Sequence, residues 1–245
     1  MTEDRIYAQQ CDVEPFRFDT TVAAVFPDML QRSIPGYAAS IEAIGSLAAR
    51  FVRPGTRCYD LGCSLGAATL AMRQAIRAKA VPDCRILAID NARAMVERCR
   101  EIVAADDTKT GPAVEVILGD IRDATIRNAS MVTLNYTLQF VEPPDRNELI
   151  RHIHDGLNAG GVLVLSEKVL DPDPEIEQLL VDLHHEHKRR NRYTALEIAR
   201  KRAALENVLI PETVASHRTR LETAGFSRVG VWLRYFNFVS IVAIR

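Results

Sequence analysis

Asp60-Leu61-Gly62-Cys63-Ser64-Leu65-Gly66 is the stretch on which the reading of the fold turns. A short apolar run, Arg57 to Leu61, leads into it, and a segment of helical periodicity from about Gly66 to Lys79 leads out. Glycines at such a strand-to-helix junction let the backbone turn tightly and let a ligand come close. The spacing is Gly-x-x-x-Gly after an acidic residue. Dinucleotide enzymes use Gly-x-Gly-x-x-Gly, whose closer glycines admit a pyrophosphate. Here Asp60 disfavours an anion, so the loop faces a ligand without phosphate.

Working outward, apolar runs alternate with helix-length segments. Upstream, the chain as far as Pro35-Gly36 reads as a tail followed by a weakly amphipathic stretch, Thr21 to Arg32, and Ala38 to Phe51 has helical spacing ended by Pro54-Gly55. Downstream, Arg85 to Ile89 reads as a strand, Ala92 to Ala104 as a helix, and Val114 to Leu118 and Met131 to Asn135 as strands. A helix over about Asp145 to Leu157 is expected to stop at Asn158-Ala159-Gly160-Gly161, with the strand Val162 to Leu165 opening after the glycine pair. Such alternation predicts a parallel sheet covered on both faces. Val229 to Arg234 and Val239 to Ile244 lie too close in sequence for a crossover helix, so if they pair they are antiparallel. The expected fold is α/β and Rossmann-like: a mostly parallel seven-stranded sheet closed by a C-terminal antiparallel hairpin, as in class I methyltransferases. Glu175 to Arg190, Ala195 to Glu206 and Pro211 to Ala224 read as helices of an insertion over about residues 168–226, capping a single domain of residues 1–245.

Bulk properties narrow the function classes. The net charge is −1, from 31 basic and 32 acidic side chains, without the basic excess of a protein that holds a long phosphate backbone. No direct nucleic-acid binding is expected. Cys11, Cys58, Cys63, Cys84 and Cys99 form no Cys-x-x-Cys and are odd in number, so neither a disulfide framework nor a zinc site is suggested. The N-terminus lacks the apolar core of a signal peptide, and no run reaches the roughly 20 apolar residues of a membrane span. The expectation is a cytoplasmic protein without a membrane partner or a metal.

From the glycine loop onward, the chain resembles class I S-adenosylmethionine-dependent enzymes. In that superfamily an acidic residue ending the second strand accepts the ribose hydroxyls, a position matched by Asp90 with Asn91 beside it. An acidic residue after the third strand meets the adenine, matched by Gly119-Asp120-Ile121, and a polar residue after the fourth lies near the reacting end, matched by Asn135. After that strand stands Asn135-Tyr136-Thr137-Leu138, not the Asn-Pro-Pro-Tyr type of signature of nucleic-acid amino-methyltransferases. Val25 to Met29, Gln31 to Tyr37, Tyr59 to Thr69, Gly119 to Asp123, Leu165 to Lys168, Lys201-Arg202 and Leu205 to Val208 are similar to the carboxy-S-adenosyl-L-methionine synthase family. The likeness runs from about residue 16 to the C-terminus and includes the helical insertion.

The resemblance implies a reaction of S-adenosylmethionine with prephenate, giving carboxy-S-adenosylmethionine and phenylpyruvate. It implies a homodimer, and a partner tRNA carboxymethyltransferase that spends the product on wobble uridine. The binding residues it implies are Tyr37, Gly62, Cys63, Ser64, Asp90, Asn91, Asp120, Ile121, Asn135 and Arg202. Arg202 would hold the added carboxylate, and Tyr37 would stand near the same charged end. No acid or base is assigned, because the donor supplies its own base. An ordinary methyltransferase and a non-catalytic ligand-binding subunit of a tRNA-modifying complex are the alternatives.

Other groups read as structural. His184-His185-Glu186-His187 has no His-Glu-x-x-His register and is expected to be a polar helix face. Lys188-Arg189-Arg190-Asn191-Arg192 suits a solvated helix C-terminus, with carboxylates of prephenate, a partner subunit or tRNA as alternatives. Arg192 stands where the family pattern suggests a smaller residue. Cys63 has no basic neighbour to activate it, and Trp232, Tyr235, Phe236 and Phe238 are expected in the sheet core.

Overall fold

The computed structural model describes residues 2–8, 14–106 and 110–245; Cys11 lies outside them. Two helices, α1 (Thr20–Ser33) and α2 (Tyr37–Phe51), precede an alternating series: β1 (Arg57–Leu61), α3 (Ala67–Ala78), β2 (Arg85–Asp90), α4 (Arg93–Ala105), β3 (Ala113–Leu118), β4 (Ala129–Asn135), α5 (Pro143–Gly156) and β5 (Leu157–Leu170). Then come α6 (Pro174–Arg190), α7 (Ala195–Leu205), β6 (Glu212–Thr213), α8 (Val214–Thr223), β7 (Arg228–Tyr235) and β8 (Phe238–Ile244).

The strand order is β3-β2-β1-β4-β5-β8-β7. The first five are parallel, and β8 runs antiparallel to both β5 and β7. This is the expected sheet, with the two-residue β6 added beside the end of β5. Because successive side chains alternate in face, the central strands feed two cores at once. On β5, Leu163 and Leu165 join the cluster holding Leu149, Ile150 and Ile153 of α5, while Val162 and Val164 face Ile44 of α2 and Met72 and Ile76 of α3.

Four expectations need correction. The strand after α5 starts at Leu157, before the glycine pair: pairing passes from Ala129–Leu157 directly to Met131–Val162, so Asn158 to Gly161 bulge out of the ladder. Gly160, at φ +73°, makes that detour possible. The 168–226 segment is not all cap. Leu221 of α8 is fully buried with the α5 cluster, so this helix covers the sheet, whereas α6 and α7 line a cavity. Tyr235 is 45% exposed on an edge strand, although Phe238 is buried and Trp232 packs on the α2–α3 core. The N-terminal segment is anchored, not a loose tail. Asp4 is buried, its N–H donates to Asp28 (2.7 Å), and its carboxylate accepts the Tyr193 hydroxyl (2.5 Å).

The cap elements carry their own start signals. Asp173 caps α6 through the N–H groups of Glu175 and Ile176, with Pro174 in the first turn. Thr194 and Glu197 form a capping box on α7. Between them Arg192 takes φ +67°, a left-handed conformation that glycine adopts more readily, so the turn forms as expected of a smaller residue even though an arginine stands there. No helix among the described residues is long and apolar enough to cross a membrane.

Candidate functional site

A cavity of about 1540 Å³ opens at the carboxyl ends of the parallel strands, where the strand order reverses between β1 and β4. That is where open α/β sheets bind ligands. All ten residues expected from the sequence line it: Tyr37, Gly62, Cys63, Ser64, Asp90, Asn91, Asp120, Ile121, Asn135 and Arg202.

One end is acidic. Asp60 is buried and accepts the hydroxyls of Thr69 (2.5 Å) and Thr133 (2.9 Å); its burial pushes its pKa above the ordinary carboxylate range. Asp90 ends β2 and accepts the N–H groups of Ser64 and Ala92, both at 2.9 Å, so it holds the glycine loop in place. Burial raises its pKa as well. Each carboxylate oxygen of Asp90 keeps a further lone pair for a ligand hydroxyl. Asp120 is tied to Arg122, which also pairs with Asp145 at 2.6 Å, and the Arg122 bonds hold its pKa down. Asn135 ends β4 with its Oδ1 buried and without a partner, a feature expected where a ligand donor belongs.

Gly62 sits at φ +78°, and a Cβ there would lie 2.3 Å from Thr137 Cγ2. Cys63 is buried beside Cys99, both as free thiols; the hydrogen bond between them and burial push its pKa up, which disfavours the thiolate. Tyr136 takes φ +61° and packs against Tyr37 (ring centroids 6.4 Å apart) and Phe238 (6.0 Å). The loop after β4 is held from beneath by Glu167, fully buried, which accepts the N–H groups of Leu138 and Gln139 at 2.9 Å each.

Burial pushes Glu167 up to about 8. Its folded pKa thus lies above the unfolded value, and between about pH 4.5 and 8 the unfolded chain releases a proton that the native one keeps. Stability therefore falls as pH rises through that window. Glu167→Gln is expected to flatten this slope, because the amide does not titrate and, like the protonated acid, presents one carbonyl oxygen to the two N–H groups. Urea denaturation of both proteins at several pH values checks it; equal slopes would show that Glu167 does not titrate there.

The opposite end, under the cap, is basic. Arg202 of α7 is exposed at the rim and makes no ion pair among the described residues. Lys168, Lys188 and Lys201 lie on the same side. The expected polar surface face of α6 is partly an inward face. His184 is buried against Phe238 (4.8 Å) with Nε2 2.8 Å from the Ser33 carbonyl, and burial pushes it down to about 2. Lys188, expected at a solvated end, is buried, while Arg189 and Arg190 are exposed. The signal that would have found the two was present: His184 and Lys188 share a face with Val181 and Glu177, at helical spacing.

The comparisons with known proteins agree with this geometry. Residues 59–161 match the family described as a methyltransferase domain. Carboxy-S-adenosyl-L-methionine synthase of Trichlorobacter lovleyi is 55% identical over 99% of this chain and 98% of its own length. That of Klebsiella pneumoniae is 54% identical over 93% of this chain and 90% of its own. The chain belongs to the carboxy-S-adenosyl-L-methionine synthase family. It is therefore an enzyme, and the general methyltransferase description, limited to residues 59–161, does not reach α6 and α7. Solved structures share the fold. A putative S-adenosyl-L-methionine-dependent methyltransferase of Methanococcus maripaludis superposes with a TM-score of 0.60 at 19% identity, over 96% of this chain and 97% of that one. Magnesium protoporphyrin IX methyltransferase of Synechocystis, solved with bound SAM, gives 0.59 at 15% identity, over 98% and 88%.

Proposed function

We propose that this synthase converts S-adenosylmethionine and prephenate into carboxy-S-adenosylmethionine and phenylpyruvate. The observation that carries the reading is the polarity of one cavity: hydroxyl-accepting carboxylates at one end, cations at the other. A cationic sulfonium nucleoside suits the first and a dianionic carboxyl donor the second. Asp90 and Asn91 take the ribose, Asp120 and Ile121 the adenine edge, and Gly62, Cys63 and Ser64 line the methionine arm, with Asn135 donating or accepting near the reacting end.

Prephenate loses carbon dioxide and hydroxide as its ring aromatises to phenylpyruvate. The hydroxide removes a proton from the sulfonium methyl and leaves as water, and the resulting ylide carbon attacks carbon dioxide to form the new carboxylate. Atoms and charge balance without a protein base. The cap helices α6 and α7 keep out water that would quench the ylide. Arg202, with Tyr37 nearby, holds the new carboxylate. We assign the enzyme to the cytoplasm as a homodimer, with Ile176, Leu179 and Leu196 of the cap supplying exposed apolar surface, and its product to the carboxymethylation of wobble uridine by a separate tRNA-modifying enzyme.

Mass spectrometry tests this directly. After incubation with both substrates the released nucleoside is expected to be heavier than S-adenosylmethionine by one carbon dioxide; unmodified or demethylated nucleoside alone would move the reading to an ordinary methyltransferase. Arg202→Ala is expected to weaken the carboxylated product by roughly ten- to a hundredfold, the worth of a charge-assisted bond, with S-adenosylmethionine affinity little changed. Equal loss for both ligands in titration calorimetry would remove Arg202 from the carboxylate site.

A further inference from the structure

Arg202 does not account for all the positive charge under the cap. Lys201 is accounted for by Ser33 Oγ (3.0 Å) and Asp4 (3.8 Å). Lys168, at the end of β5, and Lys188, on α6, are different. Among the described residues neither ammonium makes a hydrogen bond or an ion pair, although Lys188 is only 8% exposed; the Glu177 carboxylate acts on Lys168 only from beyond ion-pair distance. His184 does not offset them. A carbonyl only accepts, so its Nε2 carries the proton donated to Ser33, and the ring stays neutral. Burial, Lys201 and Lys168 together push Lys188 down to about 7. A fold that keeps a buried amine without a partner beside other cations is unfavourable by itself and becomes favourable once an anion sits among them.

The proposed reaction needs such a place. One carboxylate of the donor leaves as carbon dioxide and ends on the sulfonium carbon, at Arg202. The other stays on the keto acid throughout and has to be held elsewhere, or the donor would drift during the step. We propose that Lys188 and Lys168 form a second anion subsite, which binds the carboxylate that is not transferred. This assignment rests on the dianionic-donor reading above.

Lys188→Gln is the test, with Lys168→Gln beside it. Turnover of prephenate by the unmodified enzyme examines the donor reading by itself. Given turnover, the KM for prephenate is expected to rise by roughly ten- to a hundredfold in Lys188→Gln, while the affinity for S-adenosylhomocysteine stays at the parent value. An unchanged KM in both variants, or a matching loss of nucleoside affinity, overturns the subsite. Without turnover, titration of phenylpyruvate into S-adenosylhomocysteine-loaded protein decides it: weaker binding in the variants supports the subsite, and equal binding overturns it. A structural lysine would behave differently. Removing an unpartnered buried cation should leave the melting temperature of the ligand-free protein unchanged or higher, so a lower one also counts against the proposal.

Discussion

Gly62→Ala is expected to leave a chain that folds but no longer takes up the nucleoside. Gly62 has φ +78°, where an L-residue costs about 1–2 kcal/mol. Its new methyl would also lie 2.3 Å from Thr137 Cγ2, 2.4 Å from Oγ1 and 2.9 Å from Cβ. Thr137 cannot swing aside freely, being β-branched, and the next two residues are fastened to Glu167 through their N–H groups. So the glycine loop has to retreat, and with it Ser64, whose N–H fixes Asp90 at 2.9 Å. Strain and overpacking together come to on the order of 2–5 kcal/mol. Most of that is expected to appear as lost affinity, at least about a hundredfold for S-adenosylhomocysteine by calorimetry. Adding Thr137→Gly should restore part of it by removing the contact but not the positive φ. Parent-strength binding by the single variant would show that the loop has room the structure does not give it.

The central sheet and the acidic end of the cavity were legible because their signals are local. A glycine loop after a strand, an acid at a strand end and a hairpin too short for a crossover each sit within a few residues, and the fold preserves that adjacency. Arg57–Leu61 is a strand as read, and Asp90, Asp120 and Asn135 stand at one rim. Of the basic end Arg202 was read through the family resemblance, while the inward turn of His184 and Lys188 was missed for a physical reason. Periodicity reading assumes that the inward side of a helix meets a dry core, whereas α6 lies over a polar cavity. Its inward face therefore carries His184 and Lys188, and Ile176 and Leu179 are exposed, which is the reverse of the usual pattern. Asp4 was missed for another reason. Its partners Tyr193 and Lys201 are far along the chain, and no local signal joins them.

Arg146→Met is expected to cost the fold about 3–5 kcal/mol, a large part of the stability of an ordinary domain. In sequence Arg146 is one charged residue at the start of an amphipathic helix, yet it falls on the same stripe as Leu149, Ile150 and Ile153. The structure shows why an arginine stands there. It is fully buried, and its guanidinium donates to the carbonyls of Val141 (2.8 Å), Gln139 (3.3 Å) and Ile210 (3.0 Å) and to Glu212 (2.6 Å). Buried ion pairs can often be replaced by apolar groups with little loss when both partners are replaced. Here three of the four acceptors are backbone carbonyls, which no side-chain substitution removes. Methionine fills the stem's volume but leaves the Val141 and Ile210 carbonyls without a donor, while the Gln139 carbonyl keeps the Ile210 N–H at 2.9 Å and Glu212 keeps Arg220 at 2.7 Å, so both suffer less. Lysine restores the charge but cannot reach all four acceptors from a single nitrogen, so Arg146→Lys should fall between the two. The loss should also reach the ligand, because Gln139, Phe140 and Val141 line the cavity and Gln139 Oε1 accepts the Lys168 N–H at 3.0 Å. Urea denaturation of the ligand-free variants, followed by titration with S-adenosylhomocysteine, separates the two effects. A loss under about 1 kcal/mol for methionine would mean that water satisfies those carbonyls and that the loop after β4 does not depend on this side chain.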